Sequence, residues 1–195
     1  MAPTKCTWCD RSPQPNEHEF QPCSSCRSAH YRSERCRSRD EKYHKLLCEQ
    51  YLNFMETRPH YKHKLAVFLP EHEEQPRLIW VRCNQGYGSR GWRERPAFEP
   101  HMGSDVSDIF VSRARRVRNL YKLDHTVQIL YQDDMRGCIM NTCVEKAMHG
   151  KEHNEFWKGD MMALSLQGTD PNPQYYQDFP LSDLPVVFEF FRGCY

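Results

Sequence analysis

Seven residues in the first quarter of the chain are spaced for metal chemistry: Cys6, Cys9, Cys23, Cys26, Cys36, His44 and Cys48. A tetrahedral zinc ion takes four thiolate or imidazole ligands, and a CxxC turn delivers two thiolates to one ion without strain. Cys6-x2-Cys9 and Cys23-x2-Cys26 are two such turns. The stretch "CRSRDEKYHKLLC" adds Cys36, His44 and Cys48, and its x3 spacing predicts His44 and Cys48 on one face of a single helix. Zinc is the cofactor these spacings imply. The set is one ligand short of two complete sites.

This ligand order resembles the MYND-type zinc finger, in which two CxxC pairs precede an aromatic-Cys-x3-Cys knuckle and a final His-x3-Cys. The resemblance implies an interleaved arrangement: the first and third pairs share one ion, the second and fourth the other. Cys23, Cys26, His44 and Cys48 then form a complete site. Cys6, Cys9 and Cys36 form the other, with its fourth ligand due at position 32. Tyr31 and Ser33 match the family's flanking residues, but Arg32 stands between them. A guanidinium has no lone pair to offer. Three outcomes are open. His30, two residues earlier on the same face of an extended segment, completes the site; water completes it; or no ion binds and Arg32 pairs with the thiolates. His18 is a further histidine in the preceding loop. An open zinc position also admits catalysis, but a module this small offers no cleft, so the reading is a degenerate structural site.

Members of this family receive proline-rich peptide in a groove beside the last helix, walled by a glutamine and a tryptophan. Here those positions are Arg37 and Glu41, while Ser33 is kept. Protein or peptide partners remain the expectation, though not generic proline-rich ones. The basic residues around the module (Arg27, Arg35, Arg37, Arg39, Lys42, Lys45) read as charge compensation for thiolates rather than as a nucleic-acid surface.

The remainder of the 195 residues must supply the elements that carry this module. At 38% hydrophobic and 12% aromatic the chain can build a core, and a net charge of +1 gives no argument for a polyanionic partner. No run reaches the roughly 18 apolar residues of a membrane span, and the N-terminus lacks a signal-peptide pattern. Clustered cysteines without such a signal are expected in a reducing, intracellular setting, nucleus or cytoplasm. Cys83, Cys138, Cys143 and Cys194 are scattered and read as small buried hydrophobes.

"EQYLNFMETRPHYKH" is predicted to continue the last helix through Leu47, Tyr51 and Phe54 and to pack the module against the second part of the chain. "KLAVFLP" and "PRLIWVRCN" predict a hairpin, "GYGSRGWRERPAFEP" a loop, and "SDVSDIFVSRARRVRNLYK" a helix with Ile109, Phe110, Val117, Leu120 and Tyr121 on one face. "HTVQILYQDD" reads as a strand, "CIMNTCVEKAMHG" as a short helix, and "EFWKGDMMALSLQG" and "LPVVFEFFRG" as strands. The fold class is therefore α+β, with a cross-braced zinc module over residues 1–50 and an α+β domain over 51–195. "RPHYKHKLAVFLPEHEEQPRLIWV" is similar to uncharacterised fungal proteins that place such a finger before a β-rich domain, a resemblance that brings no activity with it.

The function these readings imply is a zinc-stabilised protein-interaction adaptor, with transcriptional regulation as its setting. The alternative is a small enzyme or ligand-binding protein whose site lies in the second domain. Protein-lysine methyltransferases also carry this finger, inside a SET domain, but their asparagine–histidine motif is absent here. His125, Asp133 and Asp134 lie close in sequence and could form a carboxylate–histidine site, but they read as a polar strand end.

Overall fold

The computed structural model describes residues 5–88, 91–111, 123–132, 139–148, 157–169 and 175–192. The N-terminal module is built from two similar knuckles. In each CxxC turn the following residue adopts a left-handed conformation, Asp10 and Arg27 both at φ 54°. Each returns its N–H to the first cysteine's carbonyl, Asp10 to Cys6 at 2.9 Å and Arg27 to Cys23 at 3.0 Å. A two-residue ladder of β1 (Gln21–Pro22) and β2 (His30–Tyr31) closes the second knuckle.

Helix α1 (Glu34–His44) starts where Ser33 accepts the Cys36 N–H at its N-cap. It does not run on into α2 (Cys48–Met55). Leu46 and Leu47 donate to Tyr43 and His44, three residues back, so the winding tightens between the helices. The single helix expected to carry His44 and Cys48 is thus two helices, and the tight turn between them, rather than helical spacing, brings Cys48 to the site.

The remaining chain forms an α+β fold, with short helices around a curled antiparallel sheet. The described strands are β3 (His63–Leu69), β4 (Arg77–Gly88), β5 (Gly91–Pro96), β6 (Val106–Val111), β7 (Thr126–Gln132), β8 (Met161–Leu166) and β9 (Tyr176–Gln177). Their order is β5-β4-β3-β8-β7-β6, with β9 paired to the end of β8. The helices are α3 (Glu99–Met102), α4 (Thr142–Ala147) and α5 (Leu184–Phe191). Strict alternation splits the strands between two clusters. Met162, Leu164, Leu130, Ala66, Phe68 and Val81 face a core capped by Met102 and Tyr176. Met161, Ala163, Ile129, Leu65 and Val67 face the other way. That second face shares one continuous core with α5 and with Cys6, Trp8, Tyr43 and Leu47 of the module.

Three expectations are corrected. "LPVVFEFF" is helix α5, not a strand, and every residue of it is buried. A segment apolar all round has no periodicity to betray its type, and Pro185 in its first turn favours the helix. Ile109 and Phe110 lie in strand β6, where they pair with Ile129 and Gln128; Arg113, Arg115, Arg116, Arg118, Val117, Leu120 and Tyr121 lie outside the described residues. The glycine-broken loop is instead the outer hairpin β4–β5, laddered from Cys83↔Pro96 to Gly88↔Gly91. The β3–β4 hairpin, strands β7 and β8 and helix α4 stand where the sequence puts them.

Candidate metal centre

Two ligand groups assemble in the module. Cys23, Cys26, His44 and Cys48 are all buried, and their ligand atoms lie within 4.8 Å of one another. Cys23 Sγ is 3.6 Å from Cys48 Sγ, and Cys26 Sγ is 3.5 Å from His44 Nε2. Cys6, Cys9 and Cys36 form the second group under the same limit, with Cys9 half-buried and the other two buried. The chain therefore interleaves its ligand pairs, the first with the third and the second with the fourth.

Electrostatics in the four-ligand group call for a cation. Burial opposes ionisation of Cys26, but the His44 ring and the Ser28 hydroxyl, 3.1 Å away, bring its thiol down to about 6. Burial and then the Cys23 and Cys26 sulfurs push Cys48 up to about 12. His44 is raised to about 9, because the Cys26 and Cys23 sulfurs outweigh burial. Without a cation the group favours ionisation of Cys26 and keeps the proton on Cys48, which limits the crowding of like charges. A bound dication reverses that preference and makes every ligand anionic or neutral with its lone pair free. The three-cysteine group behaves alike: burial drives Cys9 up to about 11, reinforced by Cys6 and Cys36.

At position 32 it is the backbone that reaches the site. Arg32 N–H donates to Cys6 Sγ at 3.4 Å while its side chain is exposed. Among the described residues no fourth Cys, His, Asp or Glu joins Cys6, Cys9 and Cys36. His30 lies outside the group: its backbone is tied to Thr7 (N to Oγ1 at 2.9 Å, O to Thr7 N at 2.7 Å), and it lines a cavity of about 320 Å³ towards the sheet. His18 is exposed and also outside it. Ser33 is spent as the N-cap of α1, and Arg37 and Glu41 stand exposed on that helix.

A supporting contact was not legible from ligand spacing. Tyr31 donates to Asp40 Oδ2 at 2.6 Å, and its ring meets His44 edge-on at 6.2 Å. Asp40 is fully buried beside the metal group, and burial raises it above the usual carboxylate range. An acidic residue among "SRDEK" reads as solvated; only the packing of α1 on β2 identifies Asp40 as internal.

His125 does find carboxylates, though not the pair named from the sequence. Asp133 and Asp134 lie outside the described residues. His125 Nε2 meets the buried Asp183, and Nδ1 lies 2.8 Å from Asp124. With a carboxylate at each nitrogen the ring is held as an imidazolium: Asp183 and then Asp124 overcome burial and raise it to about 9. A ring so engaged has no lone pair for general-base work. It clamps the start of β7 to the start of α5, beside the module's Lys5 and Asp10. Cys83 and Cys143 are buried single thiols pushed up to about 12 by burial, hence unreactive; Cys138 and Cys194 lie outside the described residues.

Comparison of the chain with protein-family models, with curated proteins and with solved structures found no match. No helix among the described residues is long and apolar enough to cross a membrane.

Proposed function

We propose that the chain is a zinc-stabilised protein-interaction adaptor of MYND type. The observation that carries this reading is the interleaved pairing of Cys6, Cys9 and Cys36 against Cys23, Cys26, His44 and Cys48. The donor chemistry supports zinc: three thiolates and an imidazole suit a borderline-soft ion that favours four-coordination. Zinc–sulfur bonds of about 2.3 Å put tetrahedral sulfurs about 3.8 Å apart, close to the 3.6 Å between Cys23 and Cys48. His44 Nδ1 and Asp40 Oδ1, one turn apart on α1, are both buried without a hydrogen bond. Metal at Nε2 would leave the proton on Nδ1, which has no acceptor within hydrogen-bond reach.

The four-ligand site is structural in this reading. Its ligands are buried and complete, which leaves no open position for substrate. The module's worth is then the shape it presents, chiefly α1 with its exposed Arg35, Arg37, Arg39 and Glu41. Arg37 and Glu41, where the related groove has a glutamine and a tryptophan, favour a charged peptide over a prolyl one, with transcriptional regulation as the process the resemblance points to. The test is affinity capture by the full chain, metal-loaded and chelated, with mass spectrometric identification. Partners held only by the loaded chain support the adaptor. An identical set from both forms, or none from either, refutes it.

A further inference from the structure

We propose that the free edge of β5 is a docking strand for an extended peptide alternating acidic and apolar residues. Strand β5 pairs only with β4 among the described strands, so its outer N–H and C=O groups are open to a further strand. The register fixes what lies on each face. Arg93 stands opposite Gly86 and Arg95 opposite Asn84, which puts both arginines on one face together with Arg82 of β4. Trp92 stands opposite Tyr87 on the other face, the two rings edge-on at 5.6 Å.

Neither face is satisfied by the described residues. Among the described residues Arg82, Arg93 and Arg95 have no carboxylate or other hydrogen-bond partner, and Arg93 Nε is buried without an acceptor. The absent side chain at Gly86 leaves room for Arg95 to lie along the ribbon, 3.9 Å from where a Cβ would stand. On the opposite face Tyr87 and Trp92 are 74% and 63% exposed. Glu94, which shares that face, is already engaged by the Tyr176 N–H at 2.7 Å.

A strand added to this edge sends alternate side chains to opposite faces. One set meets three cations lacking anions, the other meets a bare aromatic pair. An acidic–apolar alternation satisfies both. Single-stranded nucleic acid fits worse, since it needs stacking rings and phosphate-binding cations along one path, whereas this ribbon puts them on opposite sides. The proposal rests on the protein-interaction reading and names a partner class for a face distinct from the metal centre.

The probe is a fluorescently labelled eight-residue peptide of alternating glutamate and valine, titrated by anisotropy into the metal-loaded full chain. Saturable binding is expected. It should weaken about tenfold in Arg93→Glu/Arg95→Glu, one half-buried and one exposed ion pair being reversed, and the loss should shrink in 0.5 M salt. Arg95→Glu alone, at an exposed position, is expected to weaken it about threefold and serves if the double variant fails to fold. N-methylation at odd or at even peptide residues should abolish binding in one form only, because alternate amides face the edge. No binding by the native chain, no effect of Arg95→Glu, or equal binding of both methylated forms overturns the proposal. So does displacement of the peptide by an oligothymidylate that itself requires Arg93 and Arg95. Metal-dependent partners retained alongside a failed titration would remove the β5 surface and leave the adaptor reading in place; loss of those partners alone would do the reverse.

Discussion

Tyr43→Phe isolates a buried bond that joins the cysteine module to helix α5. Tyr43 on α1 is fully buried, and its hydroxyl donates to Glu189 Oε1 of α5 at 2.6 Å. Arg192 reaches the same oxygen at 2.6 Å, so the three groups form a buried charged network spanning the chain's two ends. The Tyr43 ring also stacks on Phe188 at 5.7 Å and 7°, a contact phenylalanine keeps. The substitution thus deletes one charge-assisted hydrogen bond and leaves a buried carboxylate under-satisfied, with no cavity beyond the hydroxyl. Bonds of this kind contribute about 1.5–3 kcal/mol. For a chain of this size about 2 kcal/mol lowers the melting temperature by roughly 4–8 °C. The assay is thermal unfolding by circular dichroism, with metal release followed in parallel by a colorimetric chelator. Because the module and sheet share a core, both signals should shift together. A loss under about 0.5 kcal/mol, or metal release moving while the sheet does not, would show that the two halves are not coupled through this bond.

Cys26→Ser removes a ligand from the four-residue group, where a structural zinc would contribute on the order of 10 kcal/mol; unchanged circular dichroism and protease resistance would refute the ligand assignment. Arg32→Cys supplies a fourth thiolate to Cys6, Cys9 and Cys36 and should raise metal content to two ions per chain with slower extraction by chelator. Two ions per chain in both forms, by elemental analysis, would mean a further residue already completes the group; one ion in both would mean that the added thiol recruits no metal. For His125 the folded state raises the ordinary value of 6.5 to about 9 through Asp183 and Asp124, so its contribution is full below pH 6.5 and lost as pH climbs through 9. That contribution is at most about 3 kcal/mol, and urea midpoints from pH 7 to 10 should fall more steeply in the native chain than in His125→Gln; parallel slopes would refute the clamp.

The metal groups were legible because ligand chemistry is local: CxxC turns declare themselves whatever surrounds them. The β3–β4 hairpin was legible for a similar reason, since apolar, β-branched and aromatic runs flank an acidic, proline-bounded loop. The misread elements are those whose type is decided from outside. In α5 the apolar run carries no period, and the core on both sides makes the choice. In β6 the alternation of Val106, Asp108 and Phe110 against Ile109 and Val111 is masked by the helical spacing of later residues, until pairing with β7 settles it. The outer hairpin holds three glycines that argue against a strand, yet the ladder with β4 forms through them. Asp40, Asp183 and Glu189 look like solvent residues in the sequence, and only assembly shows each one buried against a partner.

The group of Cys6, Cys9 and Cys36 can do without a fourth side-chain ligand because the first knuckle does not depend on metal alone. Cys6 N–H donates to Arg11 O at 2.9 Å, Asp10 closes back on Cys6, and the Thr7–His30 pair fastens the turn to β2 from both sides. Arg32 keeps its backbone donor on Cys6 Sγ, a contact any residue at that position could make. Trp8 adds a buried ring to the shared core, and Lys5 reaches Asp124 beside the His125 clamp. These contacts hold Cys6 and Cys9 in place before any ion arrives. A metal contributes to folding only the ordering that the polypeptide has not already supplied. Supplying a fourth ligand through Arg32→Cys is therefore expected to change occupancy far more than stability. A melting temperature at saturating zinc raised by more than about 10 °C would mean that the first knuckle is loose without a full ligand set, and that these contacts do not hold it.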